Sequence, residues 1–323
     1  MTIDVDDVVA RARAGEPRAV ARLISYVEDG APVMREVTQA LAPLTGRARI
    51  IGLTGAPGVG KSTTTSAIVS EYRSRGLRVG VLAIDPSSPF SGGALLGDRV
   101  RMQEHATDEG VFIRSMASRG HLGGLSWATP QAIRVLDAAG FDLILVETVG
   151  VGQSEVEVAG AADTTLVLLA PGMGDGIQAA KAGILEIGDV FVVNKADRDG
   201  ADSTARELRH MLSLGSGPRS GSGPDRWTPP VLKAVASRGE GISEIVDAID
   251  AHGEWLAATG ELRRRRHARA VAEIDVIAVA LLRSRVGALA GLDRLADQVV
   301  DGTLDPYAAA DRLVVDVTGV DLK

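Results

Sequence analysis

The sequence predicts an α/β fold: a mostly parallel sheet covered by helices, with a helical extension before it and a helical arm after it. Three observations predict it. Apolar runs alternate with amphipathic segments between residues 48 and about 250. Several runs are continuously apolar, such as Leu143-Ile144-Leu145-Val146 and Leu166-Val167-Leu168-Leu169, as in strands buried on both faces. One run, Ile50-Ile51-Gly52-Leu53, leads into Gly55-Ala56-Pro57-Gly58-Val59-Gly60-Lys61-Ser62. That stretch reads G-x-x-x-x-G-K-S, the loop that cradles phosphates between a strand and a helix.

The elements follow in order. Residues 1–47 form the N-terminal helical extension, with Val8, Val9, Val20, Leu23, Ile24 and Val27 at helical spacing. Gly15-Glu16-Pro17 divides it, Pro17 starting the second helix. A third helix is expected over 33–42. Residues 48–253 form the sheet domain, with strands at 49–53, 78–84, 111–114, 142–147, 164–170, 189–194 and 231–235. Right-handed crossovers put the loops after these strands on one edge, where ligands bind. Gly215 to Gly223 reads as a flexible loop. Residues 254–323 form a C-terminal helical arm. Its stripe of Val271, Ile274, Ile277 and Leu281 suits packing on the sheet domain, pairing with a second copy, or both. Arg263 to Arg266 reads as a solvated helical face.

Bulk properties narrow the function classes. The chain has 323 residues, a net charge of -7 and no cysteine. The negative charge argues against nucleic-acid binding. The absence of cysteine removes thiolate nucleophiles, thiolate metal sites and disulfides. Met1 to Asp7 is acidic and has no apolar signal core. No apolar run reaches the roughly 18 residues needed to span a bilayer. A soluble cytoplasmic protein is expected, with no nucleic-acid or membrane partner.

Four constellations carry the chemistry. In the first, glycines turn backbone amides onto phosphate oxygens, and the helix N-terminus adds positive charge. Lys61 reaches the β- and γ-phosphates and the Ser62 hydroxyl ligates Mg²⁺. The second is Asn194-Lys195-Ala196-Asp197, directly after Val190-Phe191-Val192-Val193. Guanine presents two donors, at N1 and N2, and a carboxylate can accept both. Adenine lacks that pair and leaves Asp197 unpaired, a mismatch costing on the order of 10⁴-fold. Asn194 braces the loop or the base, and the Lys195 stem covers the ring face. The third is the strand Leu143 to Val146 ending in Glu147, with Gly150 three residues later. Glu147 orients either the attacking water or the metal shell, and the Gly150 amide senses the γ-phosphate. In the fourth, Asp85 follows the second strand and Asp98 lies in the next loop. Either reaches Mg²⁺ directly or through water. Gln153 and Glu155 belong to a loop that moves when the γ-phosphate leaves. Gln178 and Lys181 belong to a second such loop. His121 reads as a non-catalytic loop residue, and the five histidines show no ligand spacing.

These strings together resemble the methylmalonyl-CoA mutase-associated GTPases of the MeaB/ArgK type. The resemblance rests on GAPGVGKST from residue 55, IDPSSPFSGGALLGDR from 84, MASRGHLGGL from 116, VETVGVGQSE from 146, APGMGDGIQAAKAGILEIGDV from 170 and NKAD from 194. It covers nearly the whole chain. It implies a P-loop NTPase of the signal-recognition/MinD-like (SIMIBI) class with a C-terminal dimerisation arm. It implies slow, Mg²⁺-dependent GTP hydrolysis by a homodimeric chaperone of the adenosylcobalamin-dependent mutase, gating cofactor loading and protecting the mutase from inactivation. By the same resemblance, Gly55 to Thr63 bind phosphates. Ser62 with Asp85, Asp98 or Glu147 serves Mg²⁺, and Asn194 and Asp197 read the base. Gln153, Gln178 and Lys181 couple nucleotide state to the client. The Ser-Ala segment common in GTPases is replaced by Val235-Ala236-Ser237, which retains a backbone contact but no hydroxyl at 235. Three other readings stand beside this one: a nickel-insertion GTPase, an ATP-dependent kinase or transport ATPase, and a nucleotide-binding scaffold without turnover.

Overall fold

The structure is a computed structural model describing residues 4–85, 102–117, 128–148, 154–172, 184–214, 226–287 and 291–318. Among the described residues, seven strands form one sheet, and every pairing between them is parallel. They are β1 (Arg49–Thr54), β2 (Val79–Asp85), β3 (Val111–Ala117), β4 (Leu143–Thr148), β5 (Thr164–Leu169), β6 (Val190–Val193) and β7 (Val231–Lys233). Their order across the sheet is β3-β2-β4-β1-β5-β6-β7. This is the sheet anticipated from the apolar runs.

Two strand ends differ from expectation by more than one residue. β3 continues to Ala117, past the polar pair Arg114-Ser115, because its whole length pairs with β2 from Val79↔Val111 to Asp85↔Ala117. The Arg114 guanidinium is accommodated by Glu28 at 2.6 Å. β7 stops at Lys233, and Val235 turns away to bridge Glu240.

Both faces of the sheet are covered. In β4, Leu143 and Leu145 face one core and Ile144 and Val146 the other. The first core holds α4 (Lys61–Ser74), through Ile68, Val69 and Tyr72, and α9 (Ile242–Ala258), through Ile245, Val246 and Ile249. The second holds α1 (Val5–Arg13), α2 (Pro17–Glu28), α3 (Met34–Leu41) and α5 (Ala128–Ala138). The chain breaks between α1 and α2 at Gly15-Glu16-Pro17, with Pro17 in the first turn of α2. Short α6 (Ser154–Ala161) and α7 (Ile184–Ile187) precede β5 and β6, and α8 (Ala201–Leu214) follows β6. Carboxylates pin the strand starts. Asp137 accepts from the amides of Gly46, Arg47 and Ala48, Asp163 from Ile50, and Asp189 from Thr165.

The chain divides into two compact units, Met1–Arg263 and Arg264–Lys323. The N-terminal helices belong to the first unit. The 253/254 boundary expected from the sequence falls inside α9, whose Leu256 is buried. Helix α10 (Glu261–Gly287) spans the division, and α11 (Leu292–Val300) and α12 (Pro306–Thr318) follow it. Val271, Ile274, Ile277 and Leu281 are all exposed on α10. Among the described residues, no helix is long and apolar enough to cross a membrane.

Candidate active site

Parallel pairing brings the C-terminal ends of β1, β4, β6 and β7 to one edge, and the motif residues gather there. β1 ends at Thr54 and the glycine loop carries the chain into α4. Gly55 has φ 144°, and a side chain there would run into the Leu168 carbonyl of β5. Gly60 has φ 96° and stands at the N-cap of α4. A Cβ on it would lie 2.5 Å from Asn194 Nδ2. Both positions therefore require glycine. No side chain caps this helix end, the arrangement that presents backbone amides to an anion.

Lys61 is buried, and its ammonium donates to the carbonyls of Gly55 at 2.6 Å and Ala56 at 3.1 Å. One residue on, the Ser62 hydroxyl donates to Glu147 Oε1 at 2.6 Å. Thr65 Oγ1 lies 3.0 Å from Glu147 Oε2 and 3.0 Å from the Lys61 carbonyl. Glu147 is 1% exposed, in register with Leu53 of β1 and Ala83 of β2. The central strands thus hold a carboxylate in place and the P-loop helix supplies hydroxyls to it. Among the described residues, no cluster of three or more His, Cys, Asp or Glu could hold a metal. Mg²⁺ usually takes one or two protein oxygens and completes its shell with phosphate and water, so a hydroxyl beside one carboxylate fits it.

The other side of the site is built on β6. Asn194 is buried, and both ends of its amide are engaged. Nδ2 donates to the Val59 carbonyl at 2.9 Å, and Oδ1 accepts from the Ala236 amide at 3.1 Å. One side chain therefore ties the P-loop to the loop after β7. Lys195 has φ 56°, the only positive value at a non-glycine among the described residues, and its ammonium donates to the Gly58 carbonyl at 2.5 Å. Asp197 is partly exposed and accepts from Arg238 at 2.8 Å. The segment Val235-Ala236-Ser237 leads into a single 3-10 turn over Ala236–Arg238. A cavity of about 560 Å³ opens between this turn and α4, lined by Ser62, Thr63, Ser66, Glu104, Ala236 and Ser237.

The structure brings together the P-loop, Glu147, Asn194, Lys195, Asp197 and the 235–237 segment. Asp85 ends β2, but its side chain lies outside the described residues, as do Asp98, Gly150, Gln153, Gln178 and Lys181. Four residues were not anticipated. Thr65 touches Glu147, and Arg238 touches Asp197. Glu104 accepts from Ser66 on α4, and His105 Nε2 lies 2.9 Å from the same hydroxyl. Thr65 has a signal in hindsight. It lies three residues after Ser62 and four after Lys61, on the same helical face.

Residues 20–290 match the family model described as methylmalonyl-CoA mutase-associated GTPase MeaB. The chain belongs to this family. A Pyrococcus abyssi member with a provisional GTPase name is 48% identical over 98% of this chain and 97% of its own length. The GTPase ArgK of Escherichia coli is 39% identical over 81% of this chain and 80% of its own. A mouse relative, the mitochondrial methylmalonic aciduria type A homolog, is 37% identical over 81% of this chain and 66% of its own. A crystal structure described as a LAO/AO transport system kinase superposes with TM-score 0.70 at 29% identity, covering 98% of this chain and 99% of that one. This MeaB-family protein is accordingly a P-loop GTPase, with its glycine loop at the centre of a parallel sheet.

Proposed function

We propose that this MeaB-family GTPase hydrolyses GTP with Mg²⁺ and acts as a homodimeric chaperone of methylmalonyl-CoA mutase, gating adenosylcobalamin loading and protecting the mutase from inactivation. The observation that carries the nucleotide part is the Asn194 bridge, because one buried amide fixes the P-loop and the base-side loop relative to each other. Gly55 to Thr63 hold the phosphates, and Lys61 moves from the loop carbonyls to phosphate oxygens. Asp197 accepts from guanine N1 and N2 and disfavours adenine, which lacks that donor pair. The Lys195 stem covers the base, and Val235 to Ser237 close its edge.

In this reading Glu147 orients the attacking water. That water's oxygen bonds to the γ-phosphorus as the bond to the β-phosphate bridging oxygen breaks, giving GDP and phosphate. Mg²⁺, held by Ser62 with Asp85, Asp98 or Glu147, neutralises phosphate charge when bound. Gln153, Gln178 and Lys181 are the proposed couplers of nucleotide state to the client.

The family description and the mouse relative's name support the mutase as client. The exposed apolar residues of α10 support a C-terminal dimerisation arm. A pull-down comparing a GTP analogue with GDP tests the proposal. Capture of methylmalonyl-CoA mutase that changes with nucleotide state is expected, and equal or absent capture in both states would overturn the chaperone role.

A further inference from the structure

We infer that Arg238 is a specificity-determining positioning residue, whose guanidinium fixes the Asp197 carboxylate in the orientation that accepts both Watson–Crick donors of guanine. The inference rests on the reading that Asp197 recognises the base. Arg238 Nη2 donates to Asp197 Oδ2 at 2.8 Å, and Nη1 lies 3.5 Å from Glu240 Oε1. The guanidinium is therefore held between two carboxylates. Among the described residues, Arg238 is the hydrogen-bonding partner of the Asp197 side chain.

The backbone around the pair is tied down on both sides. Arg238 N donates to the Val235 carbonyl at 2.9 Å, and Val235 N to the Glu240 carbonyl at 3.0 Å, closing the turn that carries the arginine. Ala196 N donates to the Ala234 carbonyl at 3.0 Å, joining the Asp197 loop to the same segment. A carboxylate has about four lone-pair sites on two oxygens. Oδ2 can thus keep its bond to Arg238 while the pair of oxygens receives N1–H and N2–H. Asp197 and Arg238 are 36% and 55% exposed in their side chains. Ion pairs that open to solvent contribute little to folding, so stability does not account for this contact. In this reading the contact orients the acceptor.

The test measures affinities of GDP, IDP and ADP for the wild type, Arg238→Ala, Arg238→Lys and Asp197→Asn. Hypoxanthine keeps N1–H and lacks the 2-amino group, so the GDP:IDP ratio reports the second donor alone. Arg238→Ala is expected to reduce that ratio about 3- to 10-fold, the scale of one weakened charged hydrogen bond. ADP affinity and melting temperature should hold, and Arg238→Lys should recover part of the ratio. An unchanged ratio in Arg238→Ala overturns the inference. So does tighter GDP binding, which would make Arg238 a competitor of the base. Asp197→Asn separates the two levels. If it abolishes GDP:ADP discrimination while Arg238→Ala leaves the GDP:IDP ratio unchanged, only the role of Arg238 falls. If Asp197→Asn leaves both ratios intact, the base-reading assignment falls with it.

Discussion

The Ser62 hydroxyl donates to Glu147 across 2.6 Å, joining the first turn of the P-loop helix to the end of the neighbouring strand. A serine proposed for the metal and a carboxylate proposed for water are thus in direct contact. Glu147→Gln keeps an oxygen that can accept from Ser62 but loses the charge. Nucleotide affinity should stay within a few-fold of wild type. Single-turnover hydrolysis should slow by about 100-fold or more, the usual weight of a positioned general base. Rapid-quench measurement of phosphate release decides it, and an unchanged rate would assign Glu147 to structural support alone.

Lys61 spends its ammonium on two carbonyls of its own loop. Phosphate oxygens are stronger partners for it. Lys61→Ala should weaken GDP and GTP binding by about 10- to 100-fold, the value of one charged hydrogen bond. Isothermal titration measures this, and wild-type affinities would refute the P-loop assignment.

The sheet was legible because a strand buried on both faces must be apolar throughout, and Leu143 to Val146 or Val190 to Val193 has no other ready reading. The end of β3 was less legible, since Arg114 and Ser115 interrupt its apolar run. Arg114 pairs through Nη2 with Glu28, 86 residues earlier in the chain. The site shows the same division. Gly60, Lys61 and Ser62 announce themselves because their chemistry depends on local spacing. Arg238 does not, since its partner Asp197 lies 41 residues away and meets it only because β6 and β7 are adjacent. Gly60 had a second requirement hidden from sequence. Beyond its positive φ, it makes room for Asn194, a residue of the other motif.

Asn194 gives a prediction that separates bracing from base recognition. Asn194→Ala leaves the Val59 carbonyl and the Ala236 amide without their partner in a buried position. The cost is about 1–3 kcal/mol, or about 2–4 °C of melting temperature per kcal/mol at this size. Because Val59 belongs to the P-loop, affinity for pyrophosphate should fall together with affinity for GDP. A variant that lost GDP binding and kept pyrophosphate binding would place Asn194 on the base instead.

Asp108 offers a test in pH. Arg73 reaches its carboxylate through Nε at 2.8 Å and Nη2 at 2.9 Å, and the Gly110 amide adds a bond at 2.8 Å. The guanidinium first, and then that amide, hold the carboxyl below its ordinary range. A depressed folded-state pKa means the stabilisation is complete above the unfolded carboxylate value of about 3.9 and is lost as pH falls through the folded value. Arg73 stays charged throughout and adds no pH dependence of its own. The pair is partly exposed, so its contribution is at most about 1 kcal/mol. Asp108→Asn should therefore melt no more than about 4 °C below wild type at pH 7. The two melting curves should converge as pH falls below about 4, because protonation removes from the wild type what the substitution has already removed. Calorimetric scans of both proteins across that range supply the comparison. A gap that stays constant with pH would mean the Arg73 contact acts through packing rather than charge.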